Sequence, residues 1–311
     1  MNTQLAYAAV ARFIRGVAVV FLVVTSVFIL SRATGDPISY LAPIETTSEQ
    51  IEEYKDQLGL NDPLIVQYGR FLAETAQLDF GTSFRAHVPA TDVVTERIVA
   101  TIMLGVAALL FAFAVGVPMG VVAAVRRGGV VDVIARLFAL LGQAVPNFWL
   151  GLMLILFLAV NFDFFPTGGR SGVGSIILPA ITLGSFPAAA VMRFTRSSML
   201  DTLQQDYIRT ARAKGLRERA VILKHALRNS MLAVVTLLGL QVGYILSGSV
   251  VVETVFAWPG LGFLIIQSIK AIDYPVVQAA VIMTSTWIIF VNFVVDVSYT
   301  FLDPRIRTGV S

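Results

Sequence analysis

The chain of 311 residues contains no cysteine and few charged residues. The absence of cysteine excludes disulfide frameworks and thiolate metal sites, and it leaves the cellular compartment open. Charged residues make up 14% of the chain and hydrophobic residues 56%, and the mean hydropathy is +0.78. Because soluble domains carry roughly a quarter charged residues, this composition indicates a protein that lies in a lipid bilayer.

The sequence also lacks the motifs of common catalytic and nucleotide-binding sites. None of the lysines, at positions 55, 214, 224 and 270, completes a G-x-x-x-x-G-K-[ST] phosphate-binding loop. The two histidines, His87 and His225, are far apart and have no carboxylate cluster around them, so we interpret both as structural. We therefore predict a non-catalytic chain with no metal or cofactor site of its own.

Long apolar runs dominate what is present. Residues 16–31, extended by Phe13 and Ile14, give a first run of about 20 residues, enough to span a membrane. A cleaved signal peptide is the alternative, but Arg32 follows instead of a small-residue cleavage site. Five further runs contain no Lys, Arg, Asp or Glu and are each long enough to span: 98–125, 137–162, 171–192, 229–252 and 274–295. The sequence predicts an all-α membrane protein with six transmembrane helices.

The distribution of basic residues predicts the orientation. Six spans place both termini on one side, and that side would hold 16 of the 23 Lys and Arg residues. The positive-inside rule then places the termini in the cytoplasm and the acidic stretch 33–97 outside. Since topology explains the basic charge, we expect no nucleic-acid partner.

The stretch 33–97 is predicted to be a helical extracytoplasmic insertion between the first two spans. Thr46 with Glu49 forms a capping box for one helix that Gly59 would end, and Asp62 with Pro63 is typical of the start of a second. The chain thus divides into a short cytoplasmic segment with the first span (1–32), the insertion (33–97), a transmembrane core (98–302) that includes a cytoplasmic loop at 193–228, and a cytoplasmic tail (303–311).

One polar stretch between two spans, residues 206–229, is called the central segment below. Its apolar residues recur at helical spacing, with Leu200, Leu203, Tyr207 and Ala211 expected on one helix face. Gly215 interrupts the pattern where a left-handed glycine would end a helix, and a second periodic run follows, with Leu223 on its apolar side. The pattern predicts two helices joined at a glycine. A loop that only fixes topology is the alternative.

Polar residues inside or near the ends of the spans are candidates for a translocation path or gate. Such side chains commonly hydrogen-bond between helices, so a purely structural role stays open for each. Only Glu253 and Asp296 are acidic near span interiors, and this scarcity argues against an ion-coupled secondary carrier. Residues 258–260 predict a turn into a short amphipathic helix. The candidates are Gln143, Asn147, Gln241, Tyr244, Ser247, Glu253, Trp258 and Asn292.

Segments along nearly the whole chain match, in order, those of one family of transport proteins. They are ATGDP (33–37), LGLNDPLIVQYGRFL (58–72), LDFGTSF (78–84), RIVATIMLG (97–105), VPNFWLG (145–151), FPTGG (165–169), LPAITLG (178–184), DYIRTARAKG (206–215), VVETVFAWPGLG (251–262), DYPVVQ (273–278) and LDPRIR (302–307). The chain resembles the first of the two permease subunits of dipeptide/oligopeptide ABC importers. The E-A-A triplet typical of ABC permease loops is replaced here by Arg209, Thr210 and Ala211.

The resemblance implies a type I importer permease fold in the bacterial cytoplasmic (inner) membrane. It also implies several partners: a second homologous permease forming a heterodimer, two ABC ATPase subunits that bind ATP and Mg²⁺, an extracytoplasmic substrate-binding protein and membrane lipids. The implied substrates are di- or oligopeptides, with nickel chelates, glutathione or sugars as alternatives. The implied ATPase-coupling residues are Asp206, Tyr207, Arg209, Thr210, Ala211, Arg212, Ala213, Lys214, Gly215, Leu216, Arg217 and Glu218.

Overall fold

The computed structural model describes residues 3–33, 49, 52, 55–56 and 59–302. These residues are almost entirely helical, and among them no strand forms beyond one isolated β-bridge between Thr82 and Pro89. The helices are α1 Thr3–Ala33, α2 Leu64–Ala76, α3 Ala90–Val125, α4 Val130–Ala144, α5 Asn147–Leu154, α6 Ile177–Leu203, α7 Asp206–Ala213, α8 Glu218–Val255, α9 Leu261–Lys270 and α10 Tyr274–Leu302.

Three of these helices include or adjoin turns of other pitch. A π-helical stretch, Ile155–Asn161, continues α5, and a 3₁₀ turn, Val173–Ile176, precedes α6. Helix α8 consists of Glu218–Ala220, a π-helical stretch Val221–Leu227, and Arg228–Val255, with helical backbone at each junction.

Five helices in the described part of the chain are long and apolar enough to cross a membrane: Val10–Ala33, Ala90–Val125, Val173–Leu203, Ala233–Val255 and Tyr274–Val295. The predicted single span 137–162 differs, because α4 and the helix Asn147–Asn161 meet at 108°. Pro146 lacks an N–H and forces the preceding Val145 into extended backbone (φ −81°, ψ 123°), which ends α4. The described residues therefore contain five candidate spans, or six if the bent pair is counted as one span.

The described residues of Met1–Ala100 and Gly260–Phe293 form one compact unit. Within it α1 approaches α10 closely, since a Cβ added at Gly16 would lie 3.0 Å from Ile289. Helix α2 starts after Asp62 and Pro63, as predicted, and the hydroxyls of Tyr68 and Thr25 are 2.7 Å apart across α2 and α1. The predicted capping box lies outside the described residues, because Thr46 is not among them.

The described residues of Thr101–Pro259 and Val294–Ser311 form the second unit, with α6 at its centre. Helices α3 and α6 touch through glycines at Gly116, Gly120 and Gly184. A Cβ added at any of them would lie 2.6–2.7 Å from a backbone oxygen of the facing helix. Small residues of this kind let membrane helices pack backbone to backbone. Pro118 and Pro187 lie inside continuous helices, so neither ends its span.

Candidate functional site

The central segment contains the predicted helix and glycine turn. Helix α7 ends at Ala213, and Gly215 takes a left-handed φ of +75°. The N–H of Gly215 donates to the carbonyl of Arg212 (2.9 Å), and the N–H of Leu216 donates to that of Ala211 (3.3 Å). This is the pattern in which a glycine closes a helix C-terminus.

The second predicted helix of the segment begins at Glu218. It opens α8, which runs without interruption into the candidate span ending at Val255. The predicted order of helix, glycine turn and helix is therefore confirmed, and the second helix extends beyond the polar stretch because nothing in the sequence after Glu218 breaks helical structure.

The predicted apolar faces of the central segment differ from those in the structure. Gln205 is extended (ψ 148°) and separates α6 from α7, so the face expected from Leu200 to Ala211 is not continuous. Ile208 and Ala211 are buried, whereas Tyr207 is 43% exposed. Leu223 is also exposed, because the wider π-helical turns of Val221–Leu227 shift the side chains away from the spacing of a regular helix.

Polar contacts brace α7 against the start of α8. Arg212 forms a two-pronged ion pair with Glu218, with nitrogen–oxygen distances of 2.7 and 3.2 Å. The hydrogen bond from Arg212 lowers the pKa of the Glu218 carboxyl, and the same bond raises the pKa of the Arg212 guanidinium. Asn229 Nδ2 donates to the Tyr207 hydroxyl (3.0 Å). Helix α7 is thus held in one orientation on α8.

Most predicted coupling residues of this segment are exposed. Only Ala211 among them is buried; the exposed ones are Asp206, Tyr207, Arg209, Thr210, Arg212, Ala213, Lys214, Gly215, Leu216, Arg217 and Glu218. Arg209 pairs with Asp206 at 3.4 Å, and both side chains are largely exposed, so this pair adds little stability. The segment presents a basic surface with the apolar Leu216 at its turn.

The predicted path residues do not all come together. Asn147, at the start of α5, places Nδ2 3.4 Å from the Tyr244 hydroxyl on α8, and the Tyr244 ring stacks on Phe186 at 4.4 Å between centroids. Gln143 and Gln241 are half-buried elsewhere in the same unit. The exposed Ser247 hydroxyl donates within its own helix, to the Gly243 carbonyl. Asn292 is exposed and belongs to the first unit.

Glu253 and Trp258 lie in packed protein. Glu253 is fully buried and accepts a hydrogen bond from the Thr101 hydroxyl at 2.7 Å. Its backbone carbonyl accepts from the N–H of Trp258 at 2.8 Å, closing the turn in which Ala257 has φ +47°. The predicted turn and the short helix α9 are both present. The side chain of Asp296 is outside the described residues.

Several sequence segments that carry the family resemblance meet in space. Around Phe256, Gly169 donates its N–H to the Phe256 carbonyl (2.8 Å), and a Cβ added at Gly168 would lie 2.5 Å from that oxygen. In the first unit, buried Asp273 accepts from the Ser83 hydroxyl at 2.6 Å. Sequence reasoning could name these segments but not pair them.

A buried ion pair was missed altogether by sequence reasoning. Asp132, in the first turn of α4, is 1% exposed. Its carboxylate accepts hydrogen bonds from both Nε (2.7 Å) and Nη2 (2.9 Å) of Arg196 on α6. The N–H of Gly128 also donates to this carboxylate (3.0 Å). Arg196 was counted only as a topology charge. Both residues lie just outside the predicted spans 137–162 and 171–192, so no local pattern indicated that they are buried.

The acidic and histidine side chains in the described part of the chain are scattered. No three His, Cys, Asp or Glu side chains there lie close enough together to hold an ion. The described residues provide a braced surface segment, an amide–phenol contact and three buried acidic groups with partners, Asp132, Glu253 and Asp273. These groups position helices and present polar atoms.

Comparison with known proteins gives one family and several relatives. The family described as "Binding-protein-dependent transport system inner membrane component" matches residues 116–308. The chain is 42% identical over 305 residues to the dipeptide transport system permease protein DppB of Escherichia coli (strain K12), covering 88% of this chain and 90% of that protein. It is 40% identical over 299 residues to the glutathione transport system permease protein GsiC of the same strain, covering 96% and 98%.

Among solved structures, the inward-facing MetNI methionine ABC transporter is similar, with a TM-score of 0.54. That match covers 68% of this chain and 96% of the other chain. Since the sequences are 19% identical, the likeness concerns the fold alone.

Proposed function

This chain belongs to the family of binding-protein-dependent transport system inner membrane components, and we propose that it is a permease subunit importing di- or oligopeptides. It works with a second, homologous permease, two ATPase subunits that bind ATP and Mg²⁺, and an extracytoplasmic binding protein. It lies in the cytoplasmic membrane with both termini and the central segment inside. ATP hydrolysis takes place in the partner subunits.

The coupling role is supported by the way in which the central segment is exposed and fixed in place. Helix α7 is exposed, and Arg212–Glu218 and Tyr207–Asn229 fix it onto α8. A segment braced in this way moves together with whatever surface holds it. Because it directly follows α6 and precedes α8, its displacement reaches both helices at once. We therefore assign it as the contact that transmits closure of an ATPase subunit.

For the translocation path, the proposal centres on Asn147 and Tyr244. They meet where the chain bends by 108° between α4 and α5, and they offer an amide and a phenol, which hydrogen-bond to peptide groups. Gln143, Gln241, Ser247 and Asn292 are further candidates of the same polar type. Glu253 and Trp258, being buried, are assigned to holding the turn that leads toward α9.

The substrate class follows from the relatives. Their printed names specify dipeptide and glutathione transport. Both substrates carry peptide amides and free carboxylates, so a path lined by uncharged hydrogen-bonding groups suits either. Glutathione is the second candidate, and the external binding protein is expected to select between the two.

Uptake driven by ATP separates this proposal from an ion-coupled carrier. In cells expressing the full importer, replacing the phosphate-loop lysine of the ATPase subunits should abolish uptake of a labelled dipeptide. Collapse of the proton gradient with ATP maintained should leave uptake largely intact. Uptake that follows the gradient and persists in the ATPase variant would refute the proposal.

Cysteine labelling tests the orientation, since the chain has no cysteine of its own. Ala86 and Arg127 are both exposed, in the first and second units respectively, and neither belongs to the central segment. An impermeant maleimide should label Ala86→Cys in intact cells and should label Arg127→Cys only after the membrane is permeabilised. The reverse pattern would overturn the orientation and the assignment of the central segment.

A further inference from the structure

The buried ion pair between Asp132 and Arg196 joins two helices that lead to different parts of the proposed site. Helix α6 carries Arg196 two turns before its end at Leu203, and α7 follows after a short connection. Helix α4 carries Asp132 in its first turn and ends at Ala144, next to the bend that presents Asn147. The pair thus lies between the central segment and the Asn147–Tyr244 contact.

The two helices are packed along the whole length between these points. Ala135 and Ala139 of α4 are buried against Ala189 and Met192 of α6. Further along, a Cβ added at Gly142 would lie 3.0 Å from the Ala189 Cβ and 3.2 Å from the Ser185 carbonyl. Small, smooth surfaces such as these allow close approach, but they do little to prevent sliding or rotation. The ion pair is the directional contact in this interface.

The geometry of the pair restricts relative movement. A guanidinium that meets a carboxylate through two nitrogens fixes both distance and plane, unlike a single point contact. Asp132 is also tied to the turn before α4 through the N–H of Gly128. Burial of the carboxylate removes water as a competing partner. The pair therefore fixes the rotation of α4 about α6.

We propose that Asp132 and Arg196 are positioning residues that lock α4 to α6, so that displacement of α7 reaches the bend at Asn147 without loss. This inference rests on the proposed coupling function of the central segment. It assigns to the pair a role in transmission beyond holding the fold. Without the pair, α6 would move on α4, and ATP hydrolysis would no longer reposition the Asn147–Tyr244 contact.

The test must separate transmission from folding. Removing one partner leaves a buried uncompensated charge, so Asp132→Asn alone should lower the amount of assembled importer. Replacing both partners by apolar residues of similar volume, Asp132→Leu with Arg196→Met, can preserve folding. We expect the double variant to assemble at near wild-type levels, while dipeptide uptake per ATP hydrolysed in proteoliposomes falls at least about tenfold. Wild-type uptake per ATP in this variant would overturn the proposal.

Two further variants keep the test decisive if the double variant does not assemble. Arg196→Lys retains the charge but not the two-pronged contact, so uptake per ATP should fall while assembly is retained. Full uptake per ATP in Arg196→Lys would also overturn the proposal. Arg136→Met is the matched control, because this mostly exposed arginine lies 3.7 Å from the same carboxylate. Arg136→Met should change neither assembly nor uptake per ATP. A fall in uptake per ATP equal to that of Arg196→Lys would count against the specific role of the Asp132–Arg196 pair.

A distance measurement reports the locking directly. Spin labels at Leu140→Cys on α4 and Phe194→Cys on α6, both exposed positions, should give one distance with and without ATP. In the double variant or Arg196→Lys, that distance should change between the two states. If ATP changes the distance by the same amount in the labelled protein that keeps Asp132 and Arg196, the locking of α4 to α6 is refuted. If the complex that keeps both Asp132 and Arg196 shows no ATP-driven uptake, the proposed function is refuted instead.

Discussion

Replacing Gly215 tests the central segment through backbone conformation alone. A Cβ added at Gly215 would meet no atom within 4 Å, so this position is open to a side chain. The N–H that donates to Arg212 is retained as well. What changes is that a β-branched residue must adopt φ +75°, which costs roughly 1–3 kcal/mol.

That cost falls on the orientation of α7. If the strain is relieved by a change of the turn, the braced arrangement loses population by roughly 5- to 150-fold, the factor that corresponds to 1–3 kcal/mol. Burial of Ile208 and the Arg212–Glu218 pair oppose this change. The spans do not depend on the turn, so we expect Gly215→Val to assemble in the membrane but to lose most of its uptake.

The assay compares dipeptide uptake, permease abundance and ATPase retention on membranes. Gly215→Asn is the rescue variant, because asparagine tolerates the left-handed conformation, and it should keep most of the activity. Gly81→Val is the matched control, since Gly81 has φ +78° and equally open surroundings but lies outside the central segment. Full uptake by Gly215→Val, or equal losses in Gly215→Val and Gly81→Val, would refute the reasoning.

Two further predictions concern packing and pH. Gly168→Ala places a methyl group 2.5 Å from the Phe256 carbonyl oxygen and should destabilise the protein by about 1–3 kcal/mol. The loss should be seen as a lower unfolding temperature in detergent. Gly174→Ala is the control and should have little effect, because the nearest atom to its methyl group would be 3.7 Å away. Folding lowers the pKa of the Glu218 carboxyl below its ordinary 4.5, so the Arg212–Glu218 pair stabilises α7 fully above pH 4.5 and is lost as the pH falls through the lowered pKa. The mobility of a spin label on α7 should therefore rise as the pH falls through the lowered pKa. Glu218→Gln should abolish this pH dependence.

The family and the helical membrane architecture were predictable from sequence because both depend on local patterns. Apolar runs without charge define membrane helices wherever they occur, and the ordered motif segments identified the family that the comparisons confirm. Gly215 was predicted correctly because a glycine at the end of a periodic segment has a specific backbone role.

What could not be predicted depends on contacts between distant segments or on helix pitch. Composition alone does not distinguish a straight span from one bent by 108° at Pro146, because prolines also lie inside unbroken helices, as Pro187 does. Leu223 was placed on the wrong face because a π-helical stretch changes the spacing. The partner of Asp132 lies 64 residues away, and no local pattern joins the two.

The most direct test of the central claim is ATP-driven uptake in proteoliposomes containing the complete importer, with Arg127→Cys as the side marker, because Arg127 is exposed and lies outside the central segment. Vesicles are loaded with ATP on one side only, and labelling by an impermeant maleimide shows which side of the membrane residue 127 occupies. The account predicts dipeptide transport only when ATP is on the side of residue 127, directed toward that side and dependent on the binding protein at the other. Transport with ATP on the opposite side, or without ATP under an imposed proton gradient, would contradict it.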